Sequence, residues 1–172
     1  YEVLGKKHPR TLLILHGWGR SAGEWLPIAQ AFSDRYQVYV LDLPGFGGSV
    51  LPTDVKANTK WYSDVVSGFI KKLKLKNITG LGHSFGGKIL QVLEAEEKKF
   101  DKLILVDAAG VEKRPLTTKI KIIIYKIFKG IIFLFPFSIK SRILNWFNRS
   151  YYKYSPEVRE SLKQVVTEDV SN

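Results

Sequence analysis

The sequence predicts an α/β protein with a mostly parallel, doubly wound sheet, and three observations carry that prediction. Short apolar runs at residues 11–15, 37–41, 77–81 and 103–106 have the composition of strands buried on both faces. Segments of helical periodicity lie between them, so strand and helix alternate, and parallel neighbours then require right-handed crossovers. At 172 residues and 45% apolar content the chain is one domain's worth, long enough to bury a core.

Taken in order, residues 1–5 read as the tail of a strand before the turn Lys6-Lys7-His8-Pro9. The solid apolar run at 11–15 ends in the loop His16-Gly17-Trp18-Gly19. Residues 24–32 carry Trp25, Leu26, Ile28, Ala29 and Phe32, compatible with a helix. The strand at 37–41 closes on Asp42-Leu43-Pro44-Gly45-Phe46-Gly47-Gly48-Ser49, a loop rich in turn formers. Residues 59–73 hold Trp61, Val65, Val66, Phe69, Ile70 and Leu73 at the spacing of an amphipathic helix. A strand at 77–81 and a helix at 88–95 flank a glycine-rich turn, and a short buried strand at 103–106 ends at Asp107-Ala108-Ala109-Gly110.

Near residue 111 the character changes. Residues 119–137 are dense in Ile and Phe, and Lys119, Lys121, Lys126 and Lys129 fall within roughly half of a helix's circumference. Those lysines also deny the run the roughly 20 apolar residues of a membrane span, and Pro136 ends or kinks it. Residues 138–154 and 156–166 read as further helices. The charge is uneven: residues 1–110 hold 15 Lys/Arg against 11 Asp/Glu, a net of +4, while 111–172 hold 12 against 5, a net of +7. Solvated lysines on helices explain this more simply than a nucleic-acid partner, which is not expected. Contact of the basic Ile/Phe helices with an anionic membrane surface is a secondary reading.

No cysteine is present, which excludes disulfides, a thiol nucleophile and Cys-based metal sites. Three scattered histidines without grouped carboxylates make no ligand set, so no metal is expected, nor any cofactor. Gly86-Gly87-Lys88 lacks the spacing of a phosphate-binding loop. No apolar leader precedes the first strand, and a cytoplasmic location is expected.

The chemistry concentrates at Gly82-His83-Ser84-Phe85-Gly86, which fits the G-x-S-x-G turn that lifts a serine between strand and helix. Side chains at 82 and 86 would collide with neighbouring backbone, and Gly87 lets the helix pack on the sheet. The start of the following helix offers free N–H groups and the positive end of its dipole to charge developing beside Ser84. A glycine-rich turn with an exposed serine is the plainer alternative.

Together the His16-Gly17-Trp18-Gly19 loop, the Asp42–Gly47 loop and the Gly82–Gly87 turn resemble the α/β-hydrolase superfamily, in particular its esterase-like members with a helical cap. The resemblance implies that Ser84 is the nucleophile. It also implies that the backbone N–H groups of Trp18 and Phe85 form the oxyanion hole, where one donor is worth ~2.7–4 kcal/mol. Residues 1–110 would be an incomplete hydrolase core. Residues 111–172 would be a helical cap roofing a cavity for a small hydrophobic ester-like substrate.

One departure stands out. The superfamily orders its triad Ser, then Asp or Glu, then His, and no histidine follows Ser84. His8 reads as solvated, His16 as shaping the oxyanion loop, and His83 as pointing away from its neighbour Ser84. Asp107, at a strand's C-terminal end, is a fallback catalytic acid, although a loop cap is the plainer reading. Asp42 reads as holding its Pro-Gly loop. The chain opens on Tyr1 and holds no methionine, so it is expected to be the N-terminal two-thirds of a longer hydrolase, truncated at both ends and inactive alone. The competing function is a ligand-binding protein of the same fold that has lost its base.

Overall fold

Thr11–Leu15 (β2) is buried at every position because it lies in the middle of a sheet covered on both sides. A computed structural model describes residues 1–5, 7–108 and 155–167. The sheet joins β1 (Glu2–Leu4), β2, β3 (Gln37–Leu41), β4 (Ile78–His83) and β5 (Lys102–Val106) in the order β1-β3-β2-β4-β5. All neighbours are parallel except β1, which runs antiparallel to β3. In register, Leu13 stands opposite Tyr39 on one side and Gly80 on the other, and Leu15 opposite Leu41 and Gly82.

Alternation along β2 sorts the core into two layers. Leu12 and Ile14 join Ala22, Ala29, Val38, Val40 and Leu81 on one face, with Trp25 and Phe32 packed against them. Leu13 and Leu15 face the other way, into a larger cluster that includes Tyr62, Val66, Ile70, Phe85, Ile89 and Leu93. Each such fully buried aliphatic side chain contributes about 1.5–3 kcal/mol by leaving water.

The helices α1 (Leu26–Phe32), α2 (Thr59–Lys72), α3 (Phe85–Glu97) and α4 (Pro156–Thr167) cover these faces. The helix expected over 24–32 is split: a 3-10 turn occupies Ala22–Trp25, and α1 starts only afterwards. Pro27 explains the join, since it lacks an N–H for a preceding turn but suits a helix's first positions. α2 begins where the Asn58 side chain accepts the Trp61 N–H at 2.8 Å. Its buried line is Tyr62, Val66 and Ile70, flanked by Thr59, Ser63 and Ser67, and Trp61, Phe69 and Leu73 pack partly buried against the same core.

Three other expectations are corrected or bounded. The helix expected at 88–95 starts at Phe85, immediately after Ser84. The strand expected to be buried at 103–106 is the outer described strand, and Ile104, Leu105 and Val106 are exposed at 44%, 39% and 40%. The helices read at 119–137 and 138–154, and the division at residue 110, lie outside the described residues. α4 falls within the span expected to form a cap, and its Val158 and Val165 are buried in the larger core cluster. Among the described residues no helix is long and apolar enough to cross a membrane.

α2 and α3 are also joined by Glu97, which accepts from the Ser67 hydroxyl at 2.7 Å and pairs with Lys71 at 3.0 Å and Lys99 at 3.3 Å. The Ser67 hydrogen bond and the Lys71 pair hold its carboxyl down at about 2, against an ordinary 4.5. The folded carboxyl therefore releases its proton more readily than the unfolded one, which favours folding above pH 4.5. The advantage drains away as pH falls toward 2. In urea denaturation the wild-type midpoint is expected to decline across that window, and Glu97→Gln to show a shallower decline; identical acid limbs would rule this out.

Candidate active site

β2 sits between β3 and β4, so the chain leaves it in one direction and returns on its other side. At such a reversal, outside the carboxyl ends of the strands, open α/β sheets bind their ligands. The segments singled out in the sequence meet on this edge. His16 and Trp18 follow β2, Asp42 follows β3, Ser84 follows β4 and Asp107 follows β5.

Ser84 is the single residue between β4 and α3, with φ 50° and ψ −112°. A non-glycine residue in such a conformation costs about 1–3 kcal/mol and persists only where its surroundings enforce it. Here its N–H donates to the Val106 carbonyl at 2.9 Å, and its own carbonyl accepts the Lys88 N–H at 3.1 Å. Bare glycines let the two elements close on each other. A Cβ on Gly82 would stand 2.6 Å from the Gly87 backbone, and one on Gly86 would stand 2.5 Å from the Leu15 carbonyl oxygen. Ser84 is left half-buried. Phe85 opens α3, so its amide N–H is among those a helix leaves without an internal acceptor. Trp18 lies in the turn closed by the Arg20 N–H on the Gly17 carbonyl, at 3.2 Å.

Two cross-ties hold that turn against the loop after β3. The fully buried His16 accepts the Leu43 N–H on Nε2 at 3.0 Å, which leaves Nδ1 to carry the proton and donate to the Gly17 carbonyl at 2.8 Å. Burial holds its pKa below the ordinary 6.5, against the opposing pull of the Gly17 bond. Asp42 accepts the Ala22 N–H at 2.7 Å and the Gly48 N–H at 3.0 Å. Burial would raise its carboxyl, but those two donors outweigh it and the pKa falls below the ordinary value. The structural readings of His16 and Asp42 both fit this geometry.

Of the remaining histidines, His83 lies against the turn after β2, where a Cβ on Gly17 would stand 2.7 Å from its Nδ1. His83 packs its ring 5.9 Å from that of Trp25. His8 accepts the Arg10 N–H at 3.1 Å in an exposed loop. Asp107 is exposed at the end of β5, with a φ of +47°. Among the described residues no histidine bonds to Ser84 or to Asp107, so the serine and the fallback acid share an edge without a base between them.

Phe85, the residue after Ser84, belongs to a chain of core rings that the sequence reading did not assemble. Trp18 meets Phe46 at 4.9 Å and Phe85 at 5.1 Å, and Phe85 meets Tyr62 at 5.1 Å, all edge to face. The Tyr62 hydroxyl donates to the Pro44 carbonyl at 3.0 Å, and burial pushes its pKa up to about 12. Two signals pointed here: an aromatic residue inside the Pro-Gly loop, and Tyr62 at the head of the Tyr62, Val66, Ile70 stripe.

Residues 10–128 match the alpha/beta hydrolase fold family. The chain belongs to that family. This alpha/beta hydrolase is 33% identical over 96 residues to the pimeloyl-[acyl-carrier protein] methyl ester esterase of Aeromonas hydrophila, an alignment covering 55% of this chain and 36% of the esterase. It superposes on a bacterial membrane phospholipase A with a TM-score of 0.62 and 32% identity, covering 65% of this chain and 36% of that one. An esterase from Exiguobacterium antarcticum shares the fold at a TM-score of 0.68 and 22% identity, covering 98% of this chain and 69% of the esterase. The chain spans well under half the length of the curated relatives it matches.

The tie through His16 gives a pH signature. Below pH 6.5 the unfolded imidazole takes up a proton that the buried ring resists, so stability is complete above 6.5 and is lost as pH falls toward the lowered folded value. His16→Phe strands the Leu43 N–H and the Gly17 carbonyl, at an expected cost of about 1–3 kcal/mol in urea denaturation at pH 7.5. The loss should narrow as pH falls from 6.5. A variant as stable as wild type at pH 7.5 would dismiss the tie.

Proposed function

We propose that Ser84 is the nucleophile of a serine hydrolase acting on an ester with an apolar acyl group. Its oxygen attacks the carbonyl carbon, the π pair moves onto the carbonyl oxygen, and the hydroxyl proton passes to a general base. The oxyanion is received by the N–H groups of Phe85 and Trp18 at the positive end of α3. Collapse then expels the alcohol, which takes up that proton, and water releases the acid by the same steps in reverse order. The observation that carries this reading is the enforced positive φ of Ser84 at a strand-to-helix corner on the carboxyl edge of the sheet.

Trp18, only partly buried where it packs on Phe46 and Phe85, is the ring of that cluster that retains surface to offer an acyl group. The Aeromonas methyl ester esterase and the phospholipase A, both named for ester substrates, support the same class. The base is assigned to a histidine outside these 172 residues. His16 has both ring nitrogens bonded to backbone, and His8 lies in an exposed loop. His83, though next to Ser84, packs on Trp25 without bonding to the serine. Asp107 remains the candidate acid. The second reading, a ligand-binding protein without turnover, draws on the lack of any histidine after Ser84.

p-Nitrophenyl acetate and a fluorophosphonate probe separate these. The 172-residue chain is expected to turn the ester over little above background. A form carried on through the relatives' C-terminal region is expected to label at Ser84 and to lose about a millionfold in kcat as Ser84→Ala. Ordinary esterase rates from the short chain, abolished by Ser84→Ala, would refute the external base. A longer form that is folded but neither labels nor turns over would leave the binding protein.

A further inference from the structure

His83 ends β4, and the period of two along a strand puts it on the same face as Leu81, the face that Trp25 packs against. Its ring lies 5.9 Å from that of Trp25. It also meets the bare Cα of Gly17, where a Cβ would stand 2.7 Å from His83 Nδ1 and 3.3 Å from the Cβ of Ser84. Gly17 is thus seated against the imidazole and the serine at once, and a side chain at 17 would strike the imidazole.

Gly17 also begins the peptide plane that ends in the Trp18 N–H. A trans peptide is rigid and planar, so the Gly17 carbonyl and the Trp18 N–H point in opposite directions from one plate. The carbonyl is held by two donors, His16 Nδ1 at 2.8 Å and the Arg20 N–H at 3.2 Å. Those bonds set which way the Trp18 N–H points. How close the plate stands to the serine is set at its other corner, where the Gly17 Cα rests on His83 and Ser84. His83 is backed in turn by Trp25, at the end of the 3-10 turn whose Ala22 N–H Asp42 holds at 2.7 Å.

We propose that His83 is a positioning residue: packed on Gly17 and Trp25, its ring sets the distance of the Trp18 amide from Ser84. It takes no proton and touches no substrate. This rests on the reading of Ser84 as the nucleophile and of the Trp18 N–H as an oxyanion donor. Losing such a donor outright costs about 10²–10³ in kcat, and a shift of about 1 Å costs up to a hundredfold.

The test compares p-nitrophenyl acetate with its thiono analogue, which carries C=S in place of C=O, on the form carried on through the relatives' C-terminal region. Sulfur accepts hydrogen bonds weakly. The oxygen-to-sulfur ratio of kcat/KM therefore reports the oxyanion donors and does not depend on how much of the protein is folded. His83→Ala is expected to lower kcat/KM on the oxygen ester about tenfold and to shrink the ratio by a similar factor. His83→Phe keeps a flat ring in the same space and should hold the ratio near that of the wild type. Trp25→Ala removes the ring's backing and should lower the ratio, and it stands in for His83→Ala should that variant not fold.

Equal losses on both esters would make His83 merely structural and overturn the proposal, as would no loss on either. A phenylalanine variant as impaired as the alanine one would transfer the role to the ring nitrogens and overturn it too. If the wild-type longer form fails to label with fluorophosphonate, the nucleophile reading falls and this one with it; labelling with an unaltered ratio defeats this one alone.

Discussion

The close approach of β4 and α3 is the constraint on which the rest of the structure depends. Gly82 and Gly86 bring the first turn of α3 to within contact of the end of β2 and of its own strand, and that proximity leaves Ser84 no helical or extended conformation to occupy. The strain stored there, about 1–3 kcal/mol, is small beside the apolar burial of Leu13, Leu15, Phe85, Ile89 and Leu93 around it. The core can therefore hold a serine in a posture that an isolated turn would abandon.

The same edge shows how a fold of ordinary parts arranges polar groups without exposing them. His16 and Asp42 each spend hydrogen-bonding capacity on backbone rather than on a reacting molecule. Both bind the turn after β2 to the loop after β3. The position of the Trp18 amide is then decided by two loops together, the second anchored in the core through Leu43, Phe46 and Leu51.

Much of this was legible in the sequence where the signal was local. Five strands and the principal helices followed from apolar runs and spacing, and the serine turn from its glycines. What escaped was the identity of the partner across space. Periodicity reports that a residue is covered and not what covers it, so β5 read as buried although its outer side has no described neighbour. The Leu43-to-His16 bond joins residues 27 apart and the Lys88-to-Val165 bond residues 77 apart; no window of helical or strand length contains either. Lys88 in particular read as an ordinary helix residue, since its reason for being there belongs to α4.

The Ser84 amide is moored to Val106 on the outermost described strand. The serine's backbone is thereby tied to a strand besides its own, across the β4–β5 pair. Whatever steadies β5 therefore steadies the serine, at a remove of one hydrogen bond.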